Sequence, residues 1–490
     1  MTSIRRLLVI GASCVCLCLQ ARDLNGSPAP PQIAVRGYYF TFCRMPTFGL
    51  ETWKEIFDGI HQDGGNQVLL WMGGGFRSKK FPVTWQYNRE HKNIQADFAR
   101  ELIDYAHSKG IKVLLALTPF SYDGVNQYPL QHPELKATQR NGRLAKLSGI
   151  HCWGYALNPA RPAAQRFMLE YAREMMFDFY PNADGLMIES SDYAICYCSD
   201  CKESYYQKEF QFVRQISEEI WARNSQAAVV VYPHYFAGRA VPGFDVKAAA
   251  ETFDPRWTLF FTPHSADIDV ELLKQARTAI YWDSSPALKT PRQIQEGTLK
   301  ALQSGIGAFV PSLEGFSFVA EHPEGGEAHL VGKRLKPFGF EWLAEGQNPY
   351  EELLIRVNRI AYREFTRDPK LTYADFQVRL GKEIFGSLAD AVSTEDLLYL
   401  QESFFADRSW FSASPLVSPN LLSEKLKTGS LSANQLRDYQ ERLRRIKDIQ
   451  GRYARSSDKP RQEMRRIATW ITANWAGSEE LLSDHLRNGK

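Results

Sequence analysis

The sequence predicts an α/β chain built as a (β/α)8 TIM barrel followed by an all-α C-terminal domain. Eight short apolar, β-favouring runs recur between Val35 and Leu313, and helix-period segments separate most of them. Beyond Tyr350 the strand signal stops while helical periodicity continues. With 490 residues, 44% hydrophobic and 23% charged, the chain is too long for one small core and has an ordinary globular composition.

The N-terminus has the layout of an export signal over residues 1–21. Arg5 and Arg6 precede an apolar stretch from Leu7 to Leu19, and small or polar residues begin at Ala21. That stretch is too short to span a bilayer comfortably. Cys14, Cys16 and Cys18 lie inside it, but no small residue pair directly precedes Cys16 or Cys18, and Gly11 spoils the apolar position before Cys14. A lipid anchor is therefore disfavoured. No comparable apolar span recurs, so the expectation is an exported protein, periplasmic or secreted, with no stable membrane insertion after signal removal. Residues 22–34, rich in Pro, Gly and Ser, read as a flexible lead-in.

The predicted barrel fills residues 35–346. Its strands are Val35–Phe42, Gln67–Met72, Lys112–Leu117, Gly185–Glu189, Ala227–Tyr232, Trp257–Thr262, Thr278–Trp282 and Gly307–Leu313. Helical segments include Glu51–Gln62, Ile94–Ser108, Pro162–Phe179, Tyr205–Ala222 and Pro291–Ser304. An open doubly wound sheet is the competing architecture, but no Gly-x-Gly-x-x-Gly turn follows the first strand, and Gly73-Gly74-Gly75 opens no clear helix. The connection from Pro119 to about Asn158 is far longer than usual and is expected to wall one side of a cleft. Residues 347–490 form the predicted α-helical domain, with helices at Glu351–Phe365, Tyr373–Phe385, Ala389–Phe405, Ser432–Gly451 and Gln462–Asn474.

A net charge of +3, with both signs interspersed, gives no reason to expect a nucleic-acid partner. The Arg and Glu pairs around Arg437–Arg455 read as a solvated helix face. Nothing in the pattern fixes an oligomeric state.

Function in such a barrel sits just past the C-terminal ends of the strands. Those positions hold Arg44, Trp71, Glu189, Asp192, His234, Tyr235, His264, Trp282, Asp283 and Glu314. Acids, imidazoles and rings facing one cavity are the ingredients of glycosidic bond cleavage. One carboxyl donates a proton to the leaving oxygen while another captures or stabilises the developing oxocarbenium ion, or activates water. Glu189, closing the run Gly185-Leu186-Met187-Ile188, is the candidate general acid; its bland alternative is a turn cap or an Arg partner. Glu314 and Asp283 compete for the second role, against a solvated turn acid and an Asx-turn respectively. Arg44, Trp71, Asp192, His234, Tyr235, His264 and Trp282 are candidate substrate contacts. His234 and His264 each follow a proline, which ends the strand before them; a structural histidine is the competing reading of each.

Once the signal is removed, Cys43, Cys152, Cys196, Cys198 and Cys201 remain, all assigned to loops on one barrel face. Cys-x-Cys-x-x-Cys offers three thiolates, and Cys152 or Cys43 a fourth, for tetrahedral zinc. In an exported chain, a disulfide between Cys152 and one of the three, leaving a free thiol, is the competing and slightly favoured account. Either way the cluster is read as structural, and no catalytic cofactor is expected.

A family resemblance emerges from these residues. Asn158-Pro159-Ala160-Arg161-Pro162, a helix, Tyr180-Pro181-Asn182-Ala183-Asp184-Gly185, then Glu189 and the cysteine loop resemble the middle of bacterial glycoside hydrolase-like barrel proteins. That group is related to α-glucuronidases and family-20-like hexosaminidases. Arg36-Gly37-Tyr38, Gly64-Gly65-Asn66-Gln67-Val68 and Ala106-His107-Ser108-Lys109-Gly110-Ile111 are similar too. Asn348-Pro349-Tyr350, Arg363–Pro369 and Phe385-Gly386 resemble the group's helical extension. The resemblance implies a carbohydrate substrate and makes Glu189 the counterpart of the group's proton donor. Hexosaminidases place an Asp directly before that Glu; Ile188 stands here, and Asp192 is the nearest substitute. The α-glucuronidase relatives use a carboxylate on a later strand as base, matched most nearly by Glu314 or Asp283. The expectation is an exported glycoside hydrolase acting on O-glycosyl bonds, with a non-catalytic glycan-binding protein on a decayed barrel as the alternative.

Overall fold

The computed structural model describes residues 32–40, 44–72, 75–86, 89, 92–122, 124–149, 152–189, 196–202, 204–232, 253–261, 278–281, 289–311, 348–405, 423, 425–429 and 431–488. The expected signal segment and most of the lead-in lie outside these residues.

Eight parallel strands close into a barrel, in the order β1-β10-β9-β8-β7-β6-β3-β2. They are β1 (Val35–Phe40), β2 (Gln67–Trp71), β3 (Lys112–Leu117), β6 (Gly185–Glu189), β7 (Ala228–Tyr232), β8 (Thr258–Phe261), β9 (Thr278–Tyr281) and β10 (Ala308–Phe309). β4 (Lys146–Gly149) and β5 (Cys152–Tyr155) form a separate antiparallel hairpin. Parallel barrel strands are covered on both faces, so they read as continuous apolar runs rather than alternating ones. Alternation nevertheless decides which way each side chain points. Tyr39, Leu69, Trp71, Leu114, Ala116, Met187, Val230, Tyr232, Phe260 and Ile280 share one buried cluster inside the barrel. Tyr38, Phe40, Val68, Leu70, Val113, Leu115, Leu186, Ile188, Val229 and Val231 belong to the layer shared with the surrounding helices.

All eight expected strands are present, β3 and β6 with the expected bounds. The expected helix Ile94–Ser108 divides into Lys92–Ala96 and Ala99–Ser108. Helix Pro162–Arg173 continues as a π-helical stretch, Glu174–Phe179. Inside the long loop after β3 the chain forms the unforeseen hairpin.

Register makes one glycine obligatory. Gly37 in β1 has φ +154°, and a Cβ built there would stand 1.6 Å from the Gln67 carbonyl oxygen on β2. Its N–H donates 2.9 Å to the Tyr362 hydroxyl.

That tyrosine lies on helix Leu353–Arg367, which seals the seam between first and last strands. Tyr362 Oη accepts from Gly37 on β1 and donates to the Phe309 carbonyl on β10. Tyr38 packs edge-on against Tyr350 at 5.7 Å and, tilted, against Tyr362 at 5.5 Å. The Arg359 guanidinium, 6% exposed, bonds Asp63 Oδ2 at 2.8 Å, the Tyr350 carbonyl at 2.7 Å and Glu351 at 2.7 Å. Asp63 follows helix Leu50–Gln62, so this buried, hydrogen-bonded pair ties the first barrel helix to the one after the last strand. Leu353–Arg367 therefore occupies the place of a barrel's eighth helix.

Tyr373–Phe385, Ala391–Phe405, Ala433–Arg452 and Lys459–Asn488 complete the C-terminal helices. Thr372 and Ser432 cap the first and third of these through their side-chain oxygens. Among the described residues no helix is long and apolar enough to cross a membrane.

Candidate active site

Glu189 ends β6 on the inward-facing parity of Met187, opposite Tyr232 in register, and is half-buried. Its Oε2 accepts a short hydrogen bond from the Tyr39 hydroxyl. Tyr39 Oη in turn accepts from Trp71 Nε1 at 2.8 Å, so an indole, a phenol and a carboxylate line up across three strands. The Arg44 guanidinium lies 5.3 Å from the Trp71 ring centroid and is 4% exposed. Further rings finish the floor: Phe260 packs edge-on to Tyr39 at 5.3 Å and to Tyr232 at 5.8 Å. Tyr122 stands 6.3 Å from Trp71.

Backbone strain concentrates at this rim. Phe120 and Tyr122, just beyond β3, have φ of +61° and +65°, left-handed values that non-glycine residues rarely adopt. Both rings are buried, which holds them there.

Of the expected site residues, Arg44, Trp71 and Glu189 meet in one cluster. Asp192, His234, Tyr235, His264, Trp282, Asp283 and Glu314 lie outside the described residues, as does Cys43. Tyr39, Tyr122, Tyr232 and Phe260 were missed by the sequence reading. The one signal for Tyr39 is strand parity, which puts it on the opposite side of β1 from Tyr38.

The cysteine loop lies against the long loop after β3, at Thr138 and Asn158. Cys196, Cys198 and Cys201 are free thiols, so the expected disulfide from Cys152 to one of them is not formed. Cys152 opens β5 rather than lying in a loop. A hydrogen bond from Cys201, helped by backbone N–H groups, pulls the Cys196 thiol down to about 6 despite burial, and the same bond pushes Cys201 up.

At the opposite pole of the barrel, where the strands begin, lies a cavity of about 410 Å³ bordered by Val35, Gln67, Thr258, Thr278 and Ala308. Among the described residues its lining holds no acid or imidazole, and barrel chemistry belongs to the other end.

The fold and this rim define a parallel (β/α)8 barrel with a hydrogen-bonded glutamate at its mouth. Solved structures it resembles are glycoside hydrolases. One is a GH138 enzyme targeting pectin rhamnogalacturonan II, 11% identical over 94% of this chain and 60% of that one, with a TM-score of 0.52. The chain thus spans 60% of that enzyme's length. A mutant O-GlcNAc hydrolase from Thermobaculum terrenum is similar at 10% identity over 93% of this chain and 88% of that one, TM-score 0.48. A Flavobacterium johnsoniae chitobiase is similar at 12% over 93% and 73%, TM-score 0.43. At these identities the likeness is one of fold. No family model matches the chain, and no curated protein does.

Proposed function

We propose that this chain is an exported glycoside hydrolase that cleaves O-glycosyl bonds in a poly- or oligosaccharide, with Glu189 as general acid. The observation that carries the reading is the Trp71–Tyr39–Glu189 alignment at the barrel mouth. Tyr39 engages Oε2 of the carboxyl, so the proton delivered to the leaving oxygen travels on Oε1. Trp71 fixes the phenol's direction by occupying one of its acceptor sites, and a positioned acid is what proton transfer to a leaving group requires. The buried rings of Trp71, Tyr122 and Tyr232 pack around this alignment and hold it in place.

Glu314 or Asp283 serves as base or nucleophile. A separation of about 5–5.5 Å from Glu189 corresponds to retention, and roughly 6.5–9.5 Å to inversion through an attacking water. The barrel shared with the GH138 enzyme supports the class, and the basic-then-apolar N-terminus supports action outside the cytoplasm.

The test is a screen of purified protein and Glu189→Gln against uronic-acid and hexosamine glycosides. The variant is expected to lose about 100-fold or more in kcat on any substrate the wild type turns over. Equal turnover by the two proteins would remove Glu189 from the mechanism.

A further inference from the structure

The sulfurs of Cys196, Cys198 and Cys201 all lie within 4.8 Å of one another. Cys196 and Cys201 are 1% and 0% exposed. Buried, closely spaced thiols in an apolar setting would be expected to turn their sulfurs toward hydrophobic neighbours. Here N–H donors meet the sulfurs of Cys196 and Cys198, while the Cys201 thiol donates 3.1 Å to Asn158 Oδ1. The Thr138 amide donates to Cys196 Sγ at 3.4 Å, and Asn158 Nδ2 to Cys198 Sγ at 3.3 Å. Asn158 is itself 2% exposed and held by the Ala160 amide on its Oδ1 at 2.9 Å, so its donor end is aimed at the sulfur. Donors pointing at sulfur favour the thiolate, which is the form that ligates metal.

We propose that these three cysteines bind one structural zinc ion. Thiolate donors select zinc over calcium or magnesium, which take oxygen ligands. Tetrahedral zinc with Zn–S bonds of about 2.3 Å separates its sulfurs by roughly 3.8 Å, so the cluster needs to contract by about an ångström at most. Backbone geometry already suits this. The amides of Cys201 and Lys202 both donate to the Cys198 carbonyl, at 3.0 and 2.9 Å, making the tight turn that brings a Cys-x-x-Cys pair around one ion. Asn158 fits as an outer partner that orients the sulfur ligands.

A disulfide uses two sulfurs and strands the third in a buried site, whereas a metal uses all three. Bound zinc also keeps neighbouring thiolates from pairing. The ion would lock the cysteine loop onto the long loop after β3, where the Tyr197 amide already bonds the Thr138 carbonyl at 2.7 Å. This site does not depend on the hydrolase reading.

The full chain, purified with zinc chloride in the medium, is expected to carry about one zinc per molecule by elemental analysis. Zinc-edge X-ray absorption should count three sulfur ligands near 2.3 Å. Cobalt(II) in place of zinc should give a thiolate charge-transfer band, and Cys198→Ser, at the most exposed of the three, should lose zinc at least tenfold. Because the absorption measurement needs only wild-type protein, a poorly folding variant leaves the test intact. Zinc-free protein with intact thiols after incubation with zinc chloride, fewer than three sulfur ligands, or a disulfide between any two of these cysteines by non-reducing peptide mapping would overturn the proposal.

Discussion

Tyr39 owes its importance to where β1 sits rather than to what it is. Its hydroxyl donates to Glu189, a residue 150 positions later in the chain, and accepts from Trp71 in between. A hydrogen bond to a neutral carboxyl is worth about 0.5–1.5 kcal/mol, so Tyr39→Phe should lower kcat/KM by roughly 2- to 10-fold while leaving thermal unfolding little changed. Steady-state kinetics on any substrate found by the screen, beside a melting curve, separates the two effects. Trp71→Phe removes the donor to the phenol together with part of the buried indole, so it should lower kcat/KM and the melting temperature together. Glu189 was legible in the sequence because an apolar run ending in a carboxylate marks a strand end at a barrel mouth. Tyr39 was not: two tyrosines stand side by side, and only strand parity tells the inward Tyr39 from the outward Tyr38.

At the scale of elements, the strands were readable because burial on both faces writes an uninterrupted apolar run. The hairpin β4–β5 was hidden because Lys-Leu-Ser-Gly and Cys-Trp-Gly-Tyr lack a sustained pattern of either period. Helix Leu353–Arg367 was recognised as a helix but grouped with the C-terminal domain, since 3.6-residue periodicity is the same whether the apolar face meets strands or other helices. Its start carries a titratable cap. Glu352 accepts from the Leu354 and Ile355 amides at 2.8 and 3.2 Å, and burial raises its carboxyl from 4.5 to about 7 against the pull of those bonds. A raised folded-state value means the folded protein holds the proton more tightly than the unfolded chain. This contribution to stability is therefore complete below about 4.5 and is lost as pH climbs through about 7. Glu352→Gln should flatten the stability–pH curve across that window, measured by denaturant unfolding at a series of pH values. An unchanged slope would assign the dependence to other groups.

For the whole molecule, closure of the barrel depends on a helix supplied after the last strand. Truncation after Asn348 removes Tyr350, Arg359 and Tyr362 together, stripping the partners of Asp63 and uncovering Tyr38 and Phe309. Leaving a buried charge unpaired costs about 3–5 kcal/mol by itself, a large share of a domain's net stability. The truncated chain is expected to be insoluble or to lack cooperative unfolding, tested by expression yield and circular dichroism. A well-folded product would place the limit of the barrel earlier.

The hydroxyl of Tyr362 touches both ends of the strand ring, one through Gly37 and the other through Phe309. In a chain made from its N-terminus, the first strand must then wait through some three hundred residues of synthesis for the clasp that completes its cylinder. A nascent polypeptide thus stays open through most of its making, and the latch fastens only once the helix that carries Tyr362 has emerged.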